Sequence, residues 1–556
     1  MSNNVYSNHD VYNQPSDLAD VNLFETDLPL QAACKAFGAD WAIDHLNRTG
    51  AVTGSAHVQR LAWEANRHTP ELRTHDRTGH RIDEIHFHPA WHHLMTLAYE
   101  GELHSLAWTE KKAGAHVARA ALSYLWNQAE NGICCPAGMT FASVATLRHA
   151  PVLAEIWQPQ ILRPAYDERP LPAEQKTGLT VGMAMTEKQG GSDLRQVQTT
   201  AKPAGKSRGP GSSWLLDGHK WFFSVPQSDL FLTLARTDKG VTCFLARGWL
   251  EDGQRNRLKL QRLKEKCGNR SNASSEVEFY GLEATIVGEE GRGIRTLLEM
   301  AHLTRLDCAI SSAGLMRQTV SQAIHHCANR LAFQKRLIEQ PVMGQVVADL
   351  ALEAEAMMWM GLRAATSLDR SESDETEALL CRITIPMAKY WACKRAPMVA
   401  AEALECHGGN GFVEDHMMAR LYREAPLNGV WEGSGNIICL DVARALHQKP
   451  ECGEAFLAML SGQRGKDSRQ DSAIDQLAED LPKLVKDETL VRHVVGKMAI
   501  AYQASLLLEH APAEIAESFC NARLGTGWNG HFGGSDSPLP VNTIIDRMRV
   551  ATGEGT

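Results

Sequence analysis

The apolar period of this chain changes twice, and that double switch limits its fold more than any other feature. From residue 30 to about 157 apolar side chains recur at helical spacing. Ala32, Ala33, Ala36, Phe37, Trp41 and Ile43 form one stripe, and Trp91, Leu94, Met95, Leu97 and Ala98 form another. From 178 to about 288 the period shortens to that of strands, with apolar runs at 230–235 and 241–246 bounded by Asp217-Gly218 and Asp238-Lys239-Gly240. Helical spacing then returns. Leu297, Leu298, Ala301, Leu306, Ala309, Ile310, Ala313, Met316, Val320, Ala323, Ile324 and Cys327 predict one very long helix or two in tandem, with further long helices over 346–367 and 379–404.

This pattern predicts an α+β protein. An N-terminal helical domain over 1–176 precedes a β-domain over 177–290, with a Pro-rich link at 163–172. Long helices with short connections then suggest a four-helix-type bundle over 291–450. Residues 451–556 form an extra helical extension, with a Gly/Ser/Arg/Asp loop at 461–472, an amphipathic stretch at 481–510 and a Gly/Pro-rich stretch at 529–540. At 556 residues the chain is too long for one core.

Composition excludes several classes. No apolar run is long enough to cross a bilayer, and residues 1–20 are polar and acidic without a signal pattern. The thirteen cysteines show no paired spacing and no C-x-x-C, which reads as reduced thiols in a cytoplasmic protein. A net charge of −9 argues against bulk polyanion binding but leaves room for a local basic patch. Four of the twenty-three histidines cluster at His86, His88, His92 and His93. Pro89 can open a helix that brings His88 and His92 near one another, but with Asp83 and Glu84 they match no metal-ligand spacing, and no metal is expected.

Five stretches carry chemistry. Residues 183–193 read Met-Ala-Met-Thr-Glu-Lys-Gln-Gly-Gly-Ser-Asp, and 218–224 read Gly-His-Lys-Trp-Phe-Phe-Ser. Arg330-Leu331-Ala332-Phe333 closes the long helical run. Two glycine clusters follow, Cys406-His407-Gly408-Gly409-Asn410-Gly411-Phe412 and Val430-Trp431-Glu432-Gly433-Ser434-Gly435-Asn436. Small residues let a backbone approach a flat or phosphorylated ligand, and a lone carboxylate in apolar company can accept a proton. Taken singly, these are also ordinary turn, cap and strand residues: Gly408 suits a helix C-cap, and Glu432 suits a helix N-terminus.

In this order, within a helical–β–helical arrangement, the stretches resemble the acyl-CoA dehydrogenase family over roughly 30–446. The resemblance implies FAD and an acyl-CoA substrate. It places Met185 and Thr186 at the flavin edge, Ser192 at a phosphate of the flavin or substrate, Phe222 against the ring and Ser224 facing N5, with Met183, Gly191 and Phe223 as further cofactor contacts. Arg330 and Phe333 would reach the pyrophosphate of a neighbouring subunit's flavin, joined by the Gly408-Gly409 turn, although Gln334 stands where the family usually has glycine. Glu432 takes the place of the base that removes the α-proton, flanked by Trp431, Gly433, Ser434 and Asn436. Arg444 matches an arginine close to the active site, or is a surface arginine.

The missing proline after Glu187, Trp221-Phe222-Phe223-Ser224, Phe87-His88-Pro89-Ala90-Trp91-His92, Trp431-Glu432-Gly433-Ser434-Gly435-Asn436 and the added C-terminal segment are similar to the AidB-type branch, linked to the bacterial response to alkylating agents. That resemblance implies a homotetrameric flavoprotein that binds double-stranded DNA, protects it from alkylation damage and weakly dehydrogenates short branched acyl-CoA. The alternative is a metabolic acyl-CoA dehydrogenase or oxidase without a DNA role. For DNA, Arg523, Arg547 and Arg549 can share one face, but residues 451–556 hold ten Lys and Arg against fifteen Asp and Glu. The clearest basic run is Arg255, Arg257, Lys259, Arg262, Lys264, Lys266 and Arg270, opposed in sequence by Glu265 alone. In a strand, Leu258 and Leu260 would face inward there, and the charges also suit a protected sheet edge.

Overall fold

The computed structural model describes residues 8–484, 487–527, 529–548 and 550. The N-terminal part is helical except for one hairpin, strands β1 (Glu71–His75) and β2 (Arg81–His86), where helix was expected. Both strands are short and polar, so they show little apolar alternation. Their role is to cover the edge of a neighbouring sheet. Leu72 and Ile85 pack against that sheet's core, the Arg81 guanidinium donates to the Leu260 carbonyl at 2.6 Å, and Asp83 accepts from the Leu260 amide at 3.2 Å. An open edge is thereby blocked with side-chain hydrogen bonds.

The sheet comprises β3 (Val181–Thr186), β4 (Thr200–Pro203), β5 (Ser213–Ser224), β6 (Leu230–Thr237), β7 (Gly240–Arg247), β8 (Leu258–Leu263) and β9 (Ser274–Val287). Strand β5 pairs with β3, β4 and β9, while β6 pairs with β3, β4 and β7, and β7 also pairs with β9. These pairings close the sheet on itself and leave β8 as an outlying strand on β9. Phe223, Phe231, Phe244, Phe279 and Trp214 fill its interior. A second apolar cluster joins its other side to the helices.

Three long helices follow. The first bundle helix, Leu298–Asn329, is a single 32-residue element, so the long apolar run resolves as one helix. The second is Pro341–Arg370, with proline in its first turn, and the third is Glu375–Cys406, capped by the Asp374 side chain. Helix Gly435–Gln448 packs on the third, and Ala115–Ala129 on the first and second.

The C-terminal extension folds back as Glu451–Ser461, Ser468–Leu484, Val491–His510, Ala513–Leu524 and Val541–Met548. The stretch expected to be one amphipathic run over 481–510 is thus the end of one helix and the whole of the next. Buried ion pairs fasten the extension to the second bundle helix: Arg523 to Asp349 at 2.6 Å and Glu353 at 2.9 Å, and Arg547 to Glu355 at 2.9 Å.

Candidate active site

Glu432 lies in the turn between Leu427–Gly429 and helix Gly435–Gln448, and its φ of +56° is costly for any residue with a side chain. Cations hold the turn in place. Lys389, on the third bundle helix, donates to the carbonyls of Trp431 (3.0 Å) and Gly433, and the Arg305 Nε donates to the carbonyl of Glu432 at 3.2 Å. All three carbonyls of the strained turn thus receive charge-assisted hydrogen bonds. So clamped, the Glu432 carboxylate turns to the first bundle helix and accepts from the Thr304 hydroxyl at 2.8 Å. Burial pushes the Glu432 carboxyl above the usual carboxylate range, while the Thr304 hydroxyl and the charges of Arg305 and Lys389 pull against the rise. The product is a better proton acceptor near neutrality than an exposed glutamate.

Thr304, Arg305 and Lys389 escaped the sequence reading because each sits inside a long helical stripe with no local motif. Arg305 also binds Asp441 at 2.9 Å, an aspartate that Arg382 grips with both nitrogens and that Arg444 approaches at 3.7 Å. Arg444 therefore does stand near Glu432's turn, through Asp441, with its side chain largely exposed.

The first two motifs lie on adjacent antiparallel strands. Met183 faces Ser224, Ala184 faces Phe223 and Thr186 faces Phe222. Buried Glu187 and Lys220, 2.7 Å apart, tie the motifs together. Burial works against the Glu187 carboxylate, but the Lys220 charge and hydrogen bonds from Lys220, Thr199 and Gln198 outweigh it and hold it down to about 2. Burial in turn pulls the Lys220 ammonium down to about 8. The loop that follows is glycine for a steric reason: a Cβ on Gly191 would collide with the Thr186 hydroxyl. Ser192 is exposed on that loop. Met183 and Met185 pack against the apolar cluster that also contains Leu303, the residue before Thr304.

One expectation is corrected here. Phe223 is fully buried among Phe231 and Phe279 inside the sheet, because β5 alternates and turns only its neighbours outward. Phe222, 46% exposed, presents the open ring, and Ser224 is half-buried beside it. Val225, next along the chain, has φ +57°, an outlier for a β-branched residue that fixes how the strand leaves Ser224. Around Glu432, Trp431 is half-buried with its indole bonded to Asn428 at 2.9 Å, Gly433 has φ +103°, and Ser434 and Asn436 are exposed at the start of the helix.

The remaining motif residues lie elsewhere. Arg330 caps the C-terminus of the first bundle helix, 26 residues beyond Thr304, or about 39 Å at 1.5 Å per residue. A two-residue hairpin turn follows, with Phe333 at φ +50° and Gln334 at φ +65°; Phe333 is 92% exposed. Gly408, at φ +60°, has nothing within 4 Å of where a side chain would project, and Gly409 begins a one-turn helix. Asn13 contacts Arg330 and Leu331, and Gln14 contacts Asn410, so the two motifs share one end of the molecule.

The nucleic-acid candidates are also corrected. Arg523 and Arg547 are spent on Asp349, Glu353 and Glu355 and are not available to a ligand, because acidic positions on the second bundle helix face them in the folded chain. Arg549 lies outside the described residues. In the basic run Leu258 and Leu260 do point inward, but the β9 register adds opposing charge that sequence order hides. Glu276 binds Arg262 and Lys264 at 2.7 Å, Glu278 stands opposite Lys259, and Glu283 pairs with Arg257 at 3.7 Å. The four clustered histidines diverge: His88 caps helix Pro89–Glu100 and stacks on His68, His93 meets His57, and His92 binds Glu168 at 2.9 Å. Among the described residues no group of three or more His, Cys, Asp or Glu is placed to hold a metal, and no helix is long and apolar enough to cross a membrane.

A closed β-unit between helical domains, with a clamped buried carboxylate and a pair of flavin-type strands, defines a flavin-dependent oxidoreductase of the acyl-CoA dehydrogenase type. Residues 13–168 match the adaptive response protein AidB N-terminal domain, 182–282 the acyl-CoA dehydrogenase middle domain and 291–447 its C-terminal domain. The chain is 42% identical to AidB of Escherichia coli (strain K12) over 94% of its own length and 95% of that protein's. Among solved structures, Caenorhabditis elegans ACDH-11 in complex with C11-CoA superposes with TM-score 0.85 at 25% identity, covering 93% of this chain and 94% of that one. Bd2924 in its apo form gives 0.81 at 26%, covering 90% and 100%. The chain belongs to the AidB branch of the acyl-CoA dehydrogenase family, and FAD is its cofactor.

Proposed function

We propose that this protein oxidises a short, branched acyl-CoA thioester, with Glu432 removing the α-proton. The observation that carries this reading is the Glu432 carboxylate itself, raised by burial, held in a strained turn by Lys389 and Arg305, and aimed at Thr304. The residues present fit FAD. The exposed Phe222 ring and half-buried Ser224 offer a flat face and a hydroxyl, Thr186 a second hydroxyl, and the open backbone at Gly408 a place for phosphate. Met183, Met185, Thr186, Gly191, Ser192, Phe222 and Ser224 would hold the ring end, with Trp431, Gly433, Ser434 and Asn436 on the Glu432 side. When bound, FAD supplies the hydride acceptor. Glu432 orients to the substrate's α-carbon, takes its proton, and is returned to its charged form with help from Arg305, Lys389 and Thr304.

Arg330 and Phe333, past the end of the first bundle helix, and Gly408 and Gly409, which share that end of the molecule, lie too far from Glu432 to serve the same FAD within one chain. Their outward placement supports a homotetramer in which these groups reach a neighbouring copy's cofactor. Anaerobic mixing of the FAD-loaded protein with isovaleryl-CoA tests the reaction: bleaching of the flavin absorbance is expected, and none across short-chain thioesters would overturn it.

A second reading, duplex DNA binding in protection from alkylation, draws on the AidB-branch membership and on one surface. On the outer face of β5, β9 and β8, Lys264 lies 3.4 Å from the Trp221 ring centroid and Lys259 4.4 Å from that of Tyr280, with Lys188 and Arg262 nearby. Because Glu276, Glu278 and Glu283 offset much of this charge, binding there is expected to be weak and to fall steeply with salt. A filter-binding titration at low salt checks it; retention unaffected by Lys259→Glu with Lys264→Glu would rule this face out.

A further inference from the structure

The N-terminal segment 13–17 crosses the far end of the first bundle helix and bonds to the residues assigned to the partner cofactor. Asn13 makes the main contact. Its side-chain oxygen accepts from the Leu331 amide at 2.7 Å, its side-chain nitrogen donates to the Leu331 carbonyl at 2.9 Å, and its own carbonyl accepts from Arg330. Gln14 accepts from Asn410 at 3.2 Å, beside Gly408 and Gly409, and the Ser16 carbonyl lies 2.8 Å from the His325 ring nitrogen. Beneath the segment is a cavity of about 40 Å³, lined partly by Ser16, Asp17, Gln322 and His416. Gln322 is 4% exposed and its side-chain nitrogen has no hydrogen-bond partner among the described residues.

The hairpin geometry explains why Leu331 needs a partner. Arg330 pairs with Leu337 through a 2.9 Å bond, so Leu331 and Arg336 oppose each other without bonding, and the Leu331 N–H and C=O point outward. A hairpin of two-residue strands is marginal alone, and two non-glycine residues at positive φ burden its turn further. The Asn13 amide supplies both missing bonds, as a strand would. Asn13 is itself at φ +53°, which asparagine tolerates better than most residues. Arg330 gives one donor to the Asn13 carbonyl; a guanidinium has five, and among the described residues the others have no protein partner and can serve a phosphate.

We propose that Asn13 is a positioning residue of the cofactor site: it stiffens the 330–336 hairpin and fixes the Arg330 guanidinium so that it meets the pyrophosphate of the neighbouring copy's FAD. The assignment rests on the flavin reading of Arg330 and goes beyond it by making the N-terminal segment part of the site.

The test is FAD titration of full-length apoprotein, followed by flavin fluorescence, for wild type, Asn13→Ala, Asn13→Asp and Arg330→Ala. Asn13→Ala is expected to raise the FAD dissociation constant about tenfold. Asn13→Asp, which keeps the acceptor for the Leu331 amide and loses the donor, is expected to fall between Asn13→Ala and wild type. A thermal unfolding midpoint of apo Asn13→Ala equal to that of the wild-type apoprotein separates positioning from a general structural role, which would lower it. Wild-type affinity in Asn13→Ala alongside weakened binding in Arg330→Ala overturns the assignment of Asn13 alone. Undiminished affinity in Arg330→Ala as well overturns the cofactor reading of this end and the inference with it.

Discussion

The first bundle helix, Leu298–Asn329, carries a different kind of site at each end. At its start the chain finishes the job by itself: Thr304 and Arg305 come from the helix, Lys389 from its neighbour, and all act on one turn. At its end the chain prepares groups and leaves them facing out, with Phe333 almost wholly exposed and Gly408 open. Backbone strain marks both, since Val225, Glu432, Phe333, Gln334 and Asn13 are five of the nine non-glycine residues at positive φ among the described residues. The difference teaches that strain alone does not separate a complete site from half of one. What separates them is whether the side chains beside the strained groups are turned inward onto the chain or left facing out. Under the proposed function, proton abstraction would be built within a subunit, and cofactor retention between subunits.

The sharpest way to break this comparison is at the near end. Glu432→Gln should slow flavin reduction by acyl-CoA about a thousandfold while FAD stays bound, because only the base is lost. Stopped-flow absorbance gives the rate, and a rate equal to wild type would remove Glu432 from the role. The converse change, Arg330→Ala, should weaken FAD binding by about 10- to 100-fold through loss of a charge-assisted phosphate contact. If it instead slowed reduction in the FAD-saturated enzyme and left affinity alone, the division of labour between the two ends would be wrong.

Acid should affect the far end and the domain junction with opposite sign. At the far end, burial and the neighbouring His416, Arg330 and His325 hold His326 down to about 4, and burial together with His416 and His326 holds His407 down to about 3. Between the ordinary value near 6.5 and these lowered values the unfolded chain binds protons that the folded chain refuses. Stability from these groups is therefore lost as pH falls from 6.5, by about 1 kcal/mol per pH unit for each buried histidine. Glu424, near the junction of the three domains, is pushed up to about 7 by burial and then by Glu130. There the folded chain binds the extra proton between 4.5 and 7, so acidification relieves it. Hydrogen exchange at pH 5 against pH 7 should show protection falling around 326 and 407 relative to 269 and 424; equal loss in both places would contradict the contrast.

Much of this was legible in the sequence where periodicity or a motif is local. The long helical run, though not whether it was one helix or two, the sheet and the Glu432 turn all announce themselves within a few residues of chain. The hairpin β1–β2 did not, because its few apolar residues serve a sheet whose strand β8, the one it covers, lies more than 170 residues away. Phe223 was assigned with its neighbours because a motif is read as a block, whereas a strand sends alternate side chains to opposite faces. The arginines of the extension looked free because their carboxylates, Asp349, Glu353 and Glu355, lie on a different helix. Likewise, the charge of β8 is countered across the register with β9. In each case the missing information is a non-local pairing, which sequence order does not display.

Thr304 provides the smallest and most discriminating change. Its hydroxyl donates to the Glu432 carboxylate at 2.8 Å, and a donor stabilises the charged form, so it restrains the rise that burial produces. Thr304→Val keeps the shape and removes the donor. The Glu432 carboxyl should then titrate higher still, and the acid limb of the flavin-reduction profile should move to higher pH. At neutral pH a smaller fraction of the base is charged, but each charged base is stronger, so the net change in rate should stay below about tenfold. Arg305 and Lys389 still clamp the backbone, so FAD affinity should not follow the shift. A limb that stays in place would mean that the hydroxyl serves the substrate rather than the base; a limb that moves together with a loss of FAD would mean that the near end is no more self-sufficient than the far one.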